Sequence, residues 1–132
     1  MTKIRTKKFA IIYQPQVRFH LRGIPKRDRR WIRNDIEKYL TVAPAQPSRQ
    51  RDTLTPPLPP VWDEWVAEGL CSEQRPLRLW RLRCGPHNRY RVFYIVDEAM
   101  QTVFVIAIGR KVRETLYIAG EIIPLRWPGE DP

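Results

Sequence analysis

Cysteine and histidine are scarce in this 132-residue chain, with two of each. Cys71 and Cys84 are too few for a disulfide framework, and with His20 and His87 they do not have the spacing of a zinc site. Apolar runs are also short, because none approaches the roughly 18 residues that a membrane-spanning helix needs. The basic N-terminus is followed by only five apolar residues, so no secretory signal is predicted. We therefore expect a soluble, reduced, cytoplasmic protein that uses no metal or cofactor and no membrane.

Acidic residues are few relative to basic ones. Lys and Arg number 24 against 14 Asp and Glu, which gives a formal net charge of +10 and a pI near 10.2. Such a surplus on a short chain predicts attraction to polyanions, with nucleic acid first and an anionic membrane second. An apolar fraction of 42% indicates a real core and excludes wholesale disorder. The length corresponds to a single domain over residues 1–132.

Proline, in contrast, is plentiful and unevenly placed. Six of the 13 prolines fall between Ala43 and Val61. This density is expected to exclude helices and sheet ladders, and it predicts an extended or mobile insert at about residues 43–76. Within the insert, the stretch 61–70 is compatible with a short helix that turns Trp62 and Trp65 inward, as core or lid residues. An irregular tail is expected at about residues 120–132.

The part before the insert predicts one strand and two helices. The stretch KFAIIY at 8–13 is apolar on both faces, which is typical of a strand covered on both sides. Apolar residues at helical spacing then predict a short helix at 17–24 and a longer one at about 26–41. Basic residues crowd the first two turns of the longer helix, where cations oppose the helix dipole. Contact with another molecule or a solvated face would explain them.

After the insert, the apolar pattern changes to the period of two that strands have. The stretches 79–84 and 89–96 predict a hairpin. The apolar run 102–108 predicts a central strand ended by Gly109, and residues 110–117 predict a short basic helix or turn. Together these elements predict an α+β fold, in which an N-terminal strand and a helical hairpin pack on a mostly antiparallel sheet of roughly four strands.

Cationic side chains recur at constant parity along these strands. The set is Arg81, Arg83, Arg91, Lys111 and Arg113. If the strands pair in sequence order, these groups converge on one sheet face, where they would hold a phosphodiester. For each arginine taken singly, a solvated outer face is the alternative explanation.

The C-terminal series resembles the RelE/ParE superfamily of small bacterial toxins. The stretches that carry the resemblance are 79–85 (LWRLRCG), 89–97 (RYRVFYIVD), 103–109 (VFVIAIG) and 110–117 (RKVRETLY). They match the family pattern of a basic strand, a YRV-Y-V-D strand, an apolar strand, and a glycine followed by basic residues and a tyrosine. With the helical hairpin, the resemblance covers about residues 8–41 and 77–118, and it does not explain the insert.

The resemblance implies a toxin of a type II toxin–antitoxin pair. RelE-like members are endoribonucleases that cut messenger RNA in the ribosomal A site, and the residues after Gly109 are more similar to this branch. The implied enzyme is metal-independent, acts on mRNA at the ribosome, and is neutralised by an acidic antitoxin protein. Two alternatives stay open: a ParE-like, non-catalytic inhibitor of a protein target such as DNA gyrase, and a nucleic-acid-binding module without chemistry.

The resemblance also implies roles for individual residues. The catalytic set is Arg81, Arg83, Arg91, Lys111 and Tyr117. The substrate-binding set is Arg110, Arg113, Arg27, Arg30 and Arg33. For Tyr117 a core position is the alternative, and for the helix arginines a solvated face.

Two of these positions depart from the family in a way that affects the chemistry. RNA cleavage needs a base for the 2′-OH, cations for the phosphate charge and a proton donor for the leaving oxygen. Arg81 and Arg83 stand where the family has lysines, and because arginine keeps its proton they can only stabilise charge or orient phosphate. His87 is the nearest titrating candidate for the base, with an ordinary exposed turn residue as the alternative.

Overall fold

A computed structural model describes residues 8–54, 62 and 78–124. The helices are α1 (Val17–His20) and α2 (Lys26–Leu40). The strands are β1 (Ala10–Tyr13), β2 (Arg51–Thr53), β3 (Trp80–Cys84), β4 (Tyr90–Asp97), β5 (Thr102–Val112), β6 (Thr115–Ile118) and β7 (Glu121–Ile122). A 3-10 turn, Pro86–Asn88, connects β3 to β4. The chain is therefore α+β, as the sequence predicts. Neither described helix is long and apolar enough to cross a membrane.

The sheet has seven strands in the order β2-β3-β4-β5-β6-β7, with β1 paired in parallel to β5. β4 pairs along one side of β5, while β1 pairs with residues 102–105 and β6 with residues 110–112 on the other side. The predicted size of roughly four strands is therefore too small. The additional strands β2, β6 and β7 lie in segments that the pattern assigns to the insert, to a basic helix or turn, and to the irregular tail.

β2 corrects the prediction that the proline-rich insert excludes a sheet ladder. Residues 51–53 pair antiparallel with residues 80–82 of β3. The six prolines lie on either side of this stretch and residues 48–54 contain none, so their backbone N–H groups are available for pairing. The predicted helix at 61–70 lies outside the described residues, apart from Trp62, which is fully buried as predicted.

Each face of the sheet buries its own hydrophobic cluster. The helix face, defined here by Leu82, Val92 and Ile108, packs against the inward side of α2. The distal face, defined by Phe93, Ile95 and Leu116, packs against Trp62. The Trp62 ring lies 4.7 Å from the Phe93 ring, and its indole N–H donates to the carbonyl of Pro124 at 2.9 Å.

β1 is more exposed than its sequence predicts. Ile12 is 47% exposed and Tyr13 is 42% exposed, although both were expected to lie under cover. The reason is topological, because among the described strands β1 pairs with β5 alone and forms a sheet edge. Its other apolar residues, Phe9 and Ile11, do pack against the core of the helix face.

A β-bulge in β5 changes which side chains face which side of the sheet. Phe93 pairs with Ala107, but its neighbour Tyr94 pairs with Val105, so Ile106 is the extra residue. Ile106 and Ala107 therefore both belong to the distal cluster. A bulge of this kind reverses the alternation of every residue that follows it.

The strand also continues beyond Gly109, where the pattern predicts its end. It reaches Val112, turns at Arg113 and returns as β6. The segment 110–117 thus forms the turn of the β5–β6 hairpin and the paired strand residues on either side of it, rather than a helix or an isolated turn. Because of the bulge, Gly109 and Lys111 face the distal side, whereas strict alternation from Val103 would place them on the helix face.

Candidate functional site

Four of the predicted cations share the distal face of the sheet. Arg83 is directly opposite Arg91, and Arg91 is opposite Gly109. Arg81 lies two residues before Arg83, and Lys111 lies two residues after Gly109, so all four point to the same side. We call Arg81, Arg83, Arg91 and Lys111 the cationic cluster.

The electrostatics of these groups show that they are close to one another. Burial, followed by the charges of Arg83 and Arg81, lowers the pKa of Arg91. Burial, followed by the charges of Arg91 and Arg81, also lowers the pKa of Lys111. Each cation thus lies in the positive field of the others, which is the arrangement that attracts and holds a phosphate.

Arg91 is the most buried member, at 9% exposure. Its Nη1 donates to the carbonyls of Asn88 at 2.5 Å and Tyr90 at 2.9 Å, which fixes the guanidinium against the β3–β4 turn. Its Nε has no hydrogen-bond partner among the described residues. A buried donor left unpaired costs about 1–3 kcal/mol, so an incoming acceptor at this atom would be stabilised.

Among the described residues, β2 places the carboxylate of Asp52 against Arg81 and Arg83 of the cationic cluster. Arg81 Nε donates to Asp52 Oδ1 at 2.9 Å and Arg81 Nη2 to Oδ2 at 2.5 Å, while Arg83 Nη2 lies 3.7 Å from Oδ2. Burial on its own raises the pKa of the Asp52 carboxyl, but the hydrogen bond and charge of Arg81 outweigh it, so the pKa is lowered. The carboxylate is therefore ionised near neutral pH and offsets one of four cations.

The hairpin that carries the cluster is held by two carboxylates of α2. Asp35 Oδ2 accepts the backbone N–H of Gly85 at 2.9 Å, and Asp28 Oδ2 accepts the hydroxyl of Tyr90 at 2.7 Å. Gly85 has a φ of +78°, a conformation that glycine adopts without strain. These bonds fix the ends of β3 and β4, and so the positions of the arginines along them.

Tyr117 and Arg110 lie apart from the cationic cluster. They pair with each other across β5 and β6, in register with Tyr90, which packs in the core of the helix face. Both line a cavity of ≈ 400 Å³ on that side, together with His20. The structure therefore does not bring the predicted tyrosine to the predicted arginines. The sequence alone could not predict this separation, because the face on which Tyr117 lies depends on the strand β6 and on the bulge in β5.

The remaining predicted contacts are also dispersed. Arg27, Arg30 and Arg33 are exposed on α2, which covers the opposite face of the sheet. Arg113 is exposed in the β5–β6 turn, two residues from Lys111. His87 is exposed in the β3–β4 turn, and within the described part of the chain no hydrogen bond or ion pair joins it to the cluster.

A second surface is a groove of ≈ 710 Å³ between β1, α1 and α2. Its apolar lining comprises Ile11, Val17, Ile32, Ile36 and Ile108. Its cationic lining comprises Arg18, Lys26, Arg29, Arg30 and Arg33. Glu37 is the one acidic side chain among the lining residues described, so the groove is apolar at its floor and positive at its rim.

Residues 8–54, 62 and 78–124 contain no site suited to metal or thiol chemistry. No group of three or more His, Cys, Asp or Glu side chains in these ranges is placed to hold a metal ion. Cys84 is buried, and burial followed by the charge of Asp35 raises the pKa of its thiol. A buried thiol of this kind is inert. Cys71 lies outside the described residues.

No protein-family model, curated protein or solved structure matches this chain.

Proposed function

We propose that the chain is a RelE-like toxin of a type II toxin–antitoxin pair, an endoribonuclease that cuts messenger RNA at the ribosome. The observation that carries the proposal is the meeting of Arg81, Arg83, Arg91 and Lys111 on one sheet face. These are four of the five residues at which the sequence resembles the family's catalytic set. Their side chains are cations, which is what a phosphodiester requires of its site.

The arginines supply charge stabilisation in the proposed reaction. The 2′-oxygen of a ribose attacks the adjacent phosphorus, its proton passes to water or to the ribosome, and the bond from phosphorus to the 5′-oxygen breaks. Negative charge accumulates on the non-bridging oxygens during this step. The planar guanidinium groups of Arg83 and Arg91 fit such oxygens and cannot lose their protons.

Lys111 is the member of the cationic cluster that can transfer a proton. Burial and the neighbouring charges of Arg91 and Arg81 lower its pKa, and an ammonium with a lowered pKa is the stronger acid. We assign it the donation of a proton to the leaving 5′-oxygen. The role of base is separate: the 2′-OH proton passes to water or to the ribosome and not to His87, which lies in the exposed turn.

The proposed partner is an acidic antitoxin that folds on this basic chain. The groove between β1, α1 and α2 offers an apolar floor for a hydrophobic side of such a segment and cations for its carboxylates. A segment that is both apolar and acidic complements this surface in shape and charge. The α2 arginines would then contact the antitoxin instead of RNA.

The proposal is tested by inducing the protein in cells and mapping mRNA ends by primer extension. The double variant Arg81→Ala, Arg83→Ala and the single variant Arg91→Ala are expected to lower cleavage by about 10²-fold or more, because each removes charge from the transition state. Arg22→Ala, an exposed arginine outside the cluster, is the charge-matched control. Thermal melts of the purified variants establish that they fold.

Growth arrest that survives the cluster variants would contradict the proposal. A second candidate, a nucleic-acid-binding module without chemistry, is favoured by the position of Tyr117 on the other face of the sheet. It predicts RNA binding by the wild-type chain with no cleaved product on translating ribosomes. Growth arrest with intact mRNA would point to the ParE-like alternative.

A further inference from the structure

Asp52 occupies the place in the cationic cluster that an anion would take. Both of its carboxylate oxygens accept hydrogen bonds from the fork of Arg81, at 2.9 and 2.5 Å, and one of them lies 3.7 Å from Arg83. A guanidinium fork binds a carboxylate and a phosphodiester with the same parallel pair of N–H donors, and each of these anions carries one negative charge. The carboxylate and a phosphate therefore compete for Arg81.

The position of Asp52 is fixed by the fold rather than by a single side-chain rotamer. β2 pairs with β3 in a register that sets Asp52 opposite Arg81. The preceding residue, Arg51, anchors the strand, because its Nη1 donates to the carbonyls of Tyr39 at 2.8 Å and Ala43 at 2.9 Å. Strand pairing thus fixes the carboxylate in the site. It comes from the insert, which the family resemblance leaves unexplained.

We propose that Asp52 sets the anion specificity of the cationic cluster, so that the cluster binds an RNA strand but not a single phosphate. The proposal rests on the proposed function. A lone phosphate meets Arg81 already paired and gains little by displacing one anion with another. An RNA strand presents several phosphates at once, so it can engage Arg83, Arg91 and Lys111 while it competes for Arg81.

The test compares the wild type with Asp52→Asn, which keeps the shape and one acceptor of the side chain but removes the charge. Glu98→Gln is the matched control, because Glu98 is exposed and makes no ion pair with any described residue. The probes are a fluorescent ten-nucleotide single-stranded RNA, read by anisotropy over a salt series, and inorganic phosphate, read by its displacement of that RNA.

Asp52→Asn is expected to bind the RNA roughly five- to twenty-fold more tightly than the wild type at about 0.1 M salt. The slope of log affinity against log salt is expected to steepen by about 0.7, the value for one more phosphate contact with a single strand. Inorganic phosphate should displace RNA from Asp52→Asn at concentrations that leave the wild type unaffected. Glu98→Gln should match the wild type in all three readouts.

An unchanged slope or weaker binding in Asp52→Asn would overturn the proposal and make Asp52 a residue that only positions Arg81. If the wild type binds RNA and the slopes agree, this inference alone fails. If neither protein binds RNA, the proposed function fails with it. If Asp52→Asn does not fold, the wild type is tested by the NMR signal of the Asp52 carboxyl ¹³C. Competition predicts that this signal shifts when RNA is added. A signal that does not shift refutes the competition between Asp52 and RNA.

Discussion

At the scale of a single residue, the position of Lys111 in the fold makes it a candidate proton donor. The sequence places it among the cations expected on one sheet face, and the family resemblance implies a catalytic role for it. The bulge in β5 turns it to the distal face, where burial and the charges of three arginines lower its pKa. The sequence does not reveal the bulge, because the extra residue Ile106 leaves no mark in an apolar run, and strict alternation along β5 would place Lys111 on the helix face.

The rate of RNA cleavage should therefore fall at alkaline pH. As proton donor, Lys111 is active while protonated, so activity is lost as pH rises through its pKa, below the usual lysine value of about 10.4. We expect this alkaline limb in single-turnover cleavage on ribosomes. In Lys111→Arg the rate should fall, and the residual rate should lack this limb, because arginine keeps its proton and cannot donate it. An identical limb in both proteins would exclude Lys111 as the donor.

His20 is a second residue whose chemistry depends on its burial. It is 5% exposed and its Nδ1 accepts the backbone N–H of Ile108 at 3.3 Å. Burial lowers its pKa from 6.5 to about 4. Between those values the unfolded chain binds a proton that the folded chain does not, so the free energy of unfolding falls as pH falls from about 6.5 to about 4.

Urea unfolding at pH 7 and pH 4.5 measures this effect. The wild type should lose up to roughly 3 kcal/mol from this group alone. His20→Asn keeps an acceptor for the Ile108 N–H and should lose less over the same interval. His87→Asn, which changes the exposed histidine, should follow the wild type. Equal pH dependence in His20→Asn and the wild type would refute the assignment.

At the scale of elements, the sequence predicts the helices and strands whose apolar residues follow a simple period, and it does not predict the other strands. α2 and the strands β3 and β4 lie within one or two residues of their predicted positions, because apolar residues at a fixed period determine them. β2, β6 and β7 were missed. They are short, polar or edge strands whose pairing is decided by neighbours distant in the chain, and a local pattern does not contain that information.

Gly109 lies on β5 against residues of β6 that leave no room for a side chain. A Cβ at this position would lie 2.7 Å from Cγ1 of Ile118 and 2.8 Å from the carbonyl oxygen of Tyr117. We expect Gly109→Ala to lower the free energy of unfolding by about 1–3 kcal/mol, since the backbone of β6 must move. Chemical denaturation measures this change in the free energy of unfolding. Gly23→Ala is the control, because no atom lies within 4 Å of a Cβ built at Gly23. Equal stability of the two variants would contradict the packing.

At the scale of the whole molecule, two surfaces of the described residues each carry several cations. The distal face carries the cationic cluster, and the groove between β1, α1 and α2 carries five further cations. Composition predicts the total charge and strand parity predicts the convergence of Arg81, Arg83 and Arg91. Neither predicts the separation of Tyr117 or the presence of Asp52, because both depend on strands that only the tertiary structure defines.

Arginine side-chain NMR measures directly which of the two surfaces binds RNA. A short RNA with 2′-O-methyl groups, which cannot be cleaved, is titrated into ¹⁵N-labelled protein, and the Nε–H signals are followed. We predict that the signals of Arg81, Arg83 and Arg91 move in a saturable way, whereas those of Arg29, Arg30 and Arg33 stay in place. Movement of the α2 arginines with the cluster signals unchanged would contradict the account.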